Sequence, residues 1–210
     1  MNMLSEMQSK DADIERMAEK ALQNGELITE LLDGLEVKDE TYRYNCYRVL
    51  FRITESHGSV LYGQWDYFVG LLHSDNSYRK MSGIQLLANL VRVDTENRFE
   101  QILDSYYDLL YDKSMIVAIY VANTSGKIIK AKPRLEPVIT DKLLNIGRTY
   151  HSEDRKQLIK AGAIEAFDQY FPESVHKERI LDFVRKSGNS SSPKTRKLVQ
   201  NFLAKWQAGI

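Results

Sequence analysis

The side chains best suited to nucleophilic or metal chemistry are one cysteine and four histidines, and their spacing supports neither. His57, His73, His151 and His176 lie far apart in sequence. No pair shows metal-ligand spacing and no cysteine cluster accompanies them, so no zinc site or other cofactor is expected. They read as helix-end or surface groups, where a cation suits the helix dipole. Cys46 falls on the apolar stripe of a helical pattern with Val49, Leu50 and Ile53. A thiol there is buried and inert, because the reactive form is the thiolate. Gly-rich phosphate loops, nucleophile elbows and kinase motifs are absent from the sequence. The acidic residues follow solvent-face spacing, so no glycosidase-type carboxylate pair stands out. The expectation is a protein without a catalytic site.

Two groups of residues suit binding better than catalysis. Twelve tyrosines include Tyr42, Tyr44 and Tyr47 on one helical segment, Tyr62 and Tyr67 flanking Trp65, and Tyr106, Tyr107 and Tyr111. Tyrosine fills helix seams and also dominates binding hot spots, and most of these read as packing. The other group is basic: Arg185, Lys186, Lys194, Arg196, Lys197 and Lys205, with no acidic residue after Asp182. That patch reads as a solubilising cap, with phosphates or an acidic partner as its functional alternative.

The elements that carry these residues are helical throughout. Apolar residues recur at spacings of three and four, strand-like alternation is absent, and all four prolines fall where a helix could begin. Turn signals give segments over residues 11–23, 26–35, 40–56, 59–73, 76–92, 95–111, 114–130, 134–148, 153–170, 173–187 and 193–207. Residues 1–10 are expected to be disordered, 187–192 (SGNSSS) to form a mobile loop, and 193–210 to form a basic capping helix on one domain spanning 1–210.

Composition narrows the setting. Basic and acidic residues number 29 each, so no overall field draws the chain to nucleic acid or membrane. Residues 1–40 nevertheless hold 11 acidic and 4 basic side chains, opposite in sign to the C-terminal segment. The lone cysteine and the lack of a signal-like N-terminus lead to the expectation of a cytoplasmic protein, and no apolar run is long enough to span a membrane.

The segments also repeat. An apolar helix end followed by a short Asp-containing turn recurs at Asp39-Glu40-Thr41-Tyr42-Arg43, at Asp75-Asn76-Ser77-Tyr78-Arg79 and at Asp112-Lys113-Ser114-Met115-Ile116. It continues at Ser152-Glu153-Asp154-Arg155 and Ser192-Pro193-Lys194-Thr195-Arg196, at intervals of 36 to 40 residues. Asp39, Asp75 and Asp112 are placed to cap helices, and Arg43 and Arg79 to reach a neighbouring turn. Small residues (Ser82, Gly83, Ala118, Ala122, Ser125, Gly126) allow close helix contact. A helix pair with two apolar faces cannot bury both alone, so stacking is required.

This pattern resembles the HEAT/armadillo-type helical repeat family over most of residues 26–207, with Ile116 and the early Arg155 departing from its signature. The resemblance implies an all-α, right-handed superhelix of about five antiparallel helix pairs whose second helices line a concave face. On that face it places Tyr44, Asn45, Arg48, Arg52, Gln85 and Asn89, the expected contact set for a protein partner. The family also includes proteins similar to DNA-alkylation repair glycosylases, which makes nucleic-acid binding the alternative, and accessory proteins of cofactor lyases.

Overall fold

The computed structural model describes residues 6–206, and every regular element in it is helical. Labelled from Ile14, the α-helices are α1 (Ile14–Gln23), α2 (Gly25–Gly34), α3 (Glu40–Leu61), α4 (Trp65–Leu72), α5 (Ser77–Leu90) and α6 (Arg98–Asp108). They continue as α7 (Met115–Ala131), α8 (Glu136–Leu144), α9 (Glu153–Tyr170), α10 (Lys177–Lys186) and α11 (Pro193–Trp206). Among the described residues no helix is long and apolar enough to cross a membrane.

Local chemistry sets the boundaries. The carboxylate of Asp39 accepts from the Tyr42 N–H at 2.8 Å, as expected of an N-cap. At the next turn the cap is Asn76, whose amide oxygen accepts from Tyr78 and Arg79, so Asp75 is displaced from that role. Asp112 accepts from the Ser114 N–H, one residue ahead of α7. His57 leaves helical geometry inside α3 (φ −135°, ψ 45°), where the sequence pattern also breaks between residues 56 and 59.

The chain divides into two compact units, one reaching to Thr95 and one starting at Glu96. In the first, α3 packs against α1, α2 and α5, and α4 packs on α5. In the second, α9 packs against α7, α11 and α8, and α10 packs on α11 and α8. A helix enclosed on several sides is apolar nearly all round. That explains why α5 buries Ser82, Gly83, Ile84 and the run from Leu86 to Leu90, and why α9 buries the run from Ala161 to Ile164.

Within each unit, polar contacts join helices distant in sequence. The bonded residues lie 32 to 43 positions apart: Tyr62 Oη to Asp94, Asn89 Nδ2 to Thr54 and Arg79 to the Glu36 carbonyl in the first unit. Lys142 to Asp104, Arg179 to Asp141 and Lys205 to Asp168 do the same in the second. One device recurs in both units. Arg43 Nη1 donates to the carbonyls six and five residues before it (Val37 2.9 Å, Lys38 3.3 Å). Arg196 Nη1 does likewise to Ser190 (2.7 Å) and Ser191 (3.0 Å).

These contacts correct two expectations. The backbone from residue 6 onward is tied down: Met7 is buried, and its carbonyl and that of Ser9 receive the Asn45 amide. The rest of the segment expected to be disordered lies outside the described residues. The 187–192 stretch is likewise held, with Ser187 and Ser190 buried and the Arg196 guanidinium on its carbonyls. The capping helix is described to Trp206, and residues 207–210 lie outside the described residues.

Close packing of α7 on α9 depends on glycine. A Cβ at Gly126 would sit 2.8 Å from the Ala166 carbonyl oxygen, and one at Gly162 would sit 3.0 Å from that of Ile119. Gly70 on α4 has nothing within 4 Å. Gly126→Ala is expected to destabilise by about 1–3 kcal/mol through overpacking, despite its gain in helix propensity. Gly70→Ala is expected to stabilise by up to about 1 kcal/mol. Urea unfolding midpoints of the two variants check both signs.

Candidate functional site

The candidate surface begins with the four sides of α3. One side turns inward with Tyr42, Cys46, Val49, Leu50 and Ile53 buried. A second meets the N-terminal segment and α1, where Asn45 binds two backbone carbonyls and Arg52 Nε pairs with Glu15 at 2.7 Å. A third meets α5, where Thr54 accepts from Asn89 at 2.9 Å and the Arg43 guanidinium lies 5.6 Å over the Tyr78 ring. The remaining side carries Tyr44, Tyr47, Arg48 and Phe51.

That side is a connected strip of rings. Tyr44 and Tyr47 have centroids 6.2 Å apart, Tyr47 and Phe51 5.8 Å, and the Arg48 guanidinium lies 5.8 Å over Tyr44. Tyr44 is 59% exposed, and Arg48, Tyr47 and Phe51 are half-buried. Tyr78, 60% exposed, follows on α5, where Met81 and Gln85 are half-buried. Rings fixed by their neighbours and still open to solvent offer contact area at low entropic cost.

The six residues expected on this face therefore separate. Tyr44 and Arg48 lie on the strip. Gln85 is half-buried, its amide directed at the Met81 carbonyl 3.4 Å away. Arg52 is exposed and engaged by Glu15. Asn45 and Asn89 are corrections: both are buried, at 2% and 5% exposure, and their amides bond within the fold. Tyr47, Phe51 and Tyr78 were not singled out for binding. For Tyr47 and Phe51 the signal was their i+3 and i+7 spacing from Tyr44, on a stripe separate from that of Cys46.

The basic residues near the C-terminus are distributed over several partners. Lys186 pairs with Asp182 (2.6 Å), Lys194 with Glu165 (3.0 Å) and Lys205 with Asp168 (3.0 Å). Arg196 is spent on backbone carbonyls, while Arg185 and Lys197 are exposed. Trp206, which shares the helix, donates its indole N–H to Asp168.

A buried polar cluster in the second unit has serine, histidine and glutamate together. Glu136 accepts from Ser174 Oγ at 2.5 Å and from Thr140 Oγ1 at 3.0 Å, with His176 Nδ1 3.3 Å from both carboxylate oxygens. The serine hydroxyl donates to the carboxylate and not to the imidazole, so the three groups are not arranged as a Ser–His–Glu relay. The cluster clamps adjacent helix pairs. His151, expected at the surface, is buried at 4% exposure. Among the described residues no group of three or more His, Cys, Asp or Glu is placed to hold a metal.

Burial governs the ionisable groups of the core. Burial pushes the Cys46 thiol up to about 12 and the Tyr42 and Tyr67 phenols up to about 12. Burial also raises Tyr106, Tyr107 and Tyr170. An acid whose folded-state pKa is raised favours folding while it stays protonated. Its contribution is fully present below the unfolded value, about 10 for tyrosine, and is lost as pH rises towards the folded value. Thermal stability is therefore expected to fall as pH rises from about 10. At pH 8 Cys46 should react with a thiol reagent only at the rate of unfolding; rapid stoichiometric labelling of the folded protein would contradict its burial.

Comparison with family models, with curated proteins and with solved structures finds no match to this chain.

Proposed function

We propose that both units are HEAT- or armadillo-like right-handed stacks of antiparallel helix pairs, and that the chain is a non-catalytic cytoplasmic scaffold or adaptor. Its protein partner docks on the second-helix face around Tyr44 and Arg48. The stacking reading is supported by polar contacts spaced one repeat apart and by the Arg43 contact repeated at Arg196. The binding reading is carried by the Tyr44–Tyr47–Phe51 strip with Arg48 against it. Tyrosine and arginine, fixed and partly open to solvent, have the composition of a binding hot spot. The nucleic-acid alternative gains no support from the C-terminal cations, since Lys186, Lys194 and Lys205 already face carboxylates.

The test compares variants on one scaffold. Tyr44→Ala and Arg48→Ala should each weaken capture of a native partner by roughly tenfold or more, with the melting temperature nearly unchanged. Asn45→Ala should instead lower the melting temperature, because it leaves buried carbonyls without their donor. Capture that is insensitive to Tyr44 and Arg48, or loss of folding in those two variants, would place the binding surface elsewhere.

A further inference from the structure

The cations around the strip and the carboxylates of the same unit are differently committed. Helices α3 and α5, with the turn to Val93, carry Arg43, Arg48, Arg52, Arg79, Lys80 and Arg92 against only Glu40 and Glu55. The acidic residues of this unit are concentrated in residues 1–40, and several are engaged: Glu6 by Arg16, Glu15 by Arg52 and Glu36 by Arg79. Arg48 has only the Tyr44 ring against its guanidinium, with no carboxylate within ion-pair distance among the described residues. Arg43 Nη1 and Arg92 Nη2 donate to main-chain carbonyl oxygens, which carry no full negative charge.

A partner that covers this strip must remove water from Arg48. Covering a guanidinium without supplying a counter-charge is costly, whereas a carboxylate laid over it compensates that cost. The rings beside it need apolar or aromatic surface in the same partner. Building on the binding reading above, we propose that the Tyr44–Tyr47–Arg48–Phe51 face receives an acidic protein segment in which carboxylates alternate with aromatic or aliphatic anchors. The carboxylates pair with Arg48 and its neighbours, and the anchors lie on the rings of Tyr44 and Phe51. Affinity then has a screened electrostatic part and an unscreened apolar part.

Fluorescence anisotropy on the full chain tests this with labelled probes: a glutamate–tyrosine copolymer, polyglutamate, a lysine–tyrosine copolymer and duplex DNA. The glutamate–tyrosine copolymer should bind best, at least about tenfold more tightly than polyglutamate, and added salt should weaken it. Tyr44→Ala and Arg48→Ala should each reduce that binding by about tenfold or more, and Arg48→Glu should shift preference towards the lysine–tyrosine copolymer. Best binding of the lysine–tyrosine copolymer to the wild type, still dependent on Tyr44, would overturn the acidic assignment and leave the binding surface standing. Tyr44-dependent binding of DNA in preference to every polypeptide would overturn both. Absence of binding by any probe, or binding unchanged in all three variants, would overturn this proposal.

Discussion

The constraint on which the rest of the structure depends is that a helix pair with two apolar faces cannot stand alone. Within each unit the helices bury their apolar faces against one another, and polar contacts join residues far apart in sequence. Tyr67 Oη reaches the Leu32 carbonyl and Arg92 the Glu55 carbonyl in the first unit; Thr195 reaches the Gln157 carbonyl in the second. Exposed ion pairs such as Arg179–Asp141 contribute about 0–1 kcal/mol each, so they add little to overall stability. Most of that comes from apolar burial. The buried amide and hydroxyl contacts act differently, because sliding one helix past another would leave them unsatisfied at about 1–3 kcal/mol each. They fix the register.

Register in turn decides what α3 can offer. Three of its sides are used by the core, by the N-terminal segment and by α5, and each use is visible in a particular residue: Cys46, Asn45 and Thr54. The side left over is narrow, and Tyr44, Tyr47, Arg48 and Phe51 fill it. The surface is therefore a by-product of how neighbouring segments cover the other three sides of α3. This explains how rings so close to a well-packed core remain partly in solvent.

Helix existence was legible in the sequence because apolar spacing of three and four is a local signal. The break at His57 was legible for the same reason. The cap at Asn76 was not, since Asp75 and Asn76 are both good caps and only backbone geometry chooses between them. The repeat alignment put Tyr44 on the open side of its helix, and it lies there at 59% exposure with Arg48 beside it. Asn45 and Asn89 were misplaced because a polar residue on the flank of an enclosed helix reads as solvent-facing until its distant partner is known. Those partners, the Met7 and Ser9 carbonyls and the Thr54 hydroxyl, lie a whole repeat away. The serine-rich 187–192 segment misled similarly: its composition suggests mobility, while Arg196 holds its carbonyls.

Coupling between residues one period apart is the central claim, and a double-mutant cycle on Thr54 and Asn89 measures it directly. Thr54→Ala, Asn89→Ala and the double variant would be compared by equilibrium denaturation. The Asn89 amide donates to the Thr54 hydroxyl, which itself donates to the Phe51 carbonyl. The account predicts a coupling energy of about 1 kcal/mol or more, with the double variant less destabilised than the sum of the singles. Additive effects, with coupling below about 0.3 kcal/mol, would contradict it.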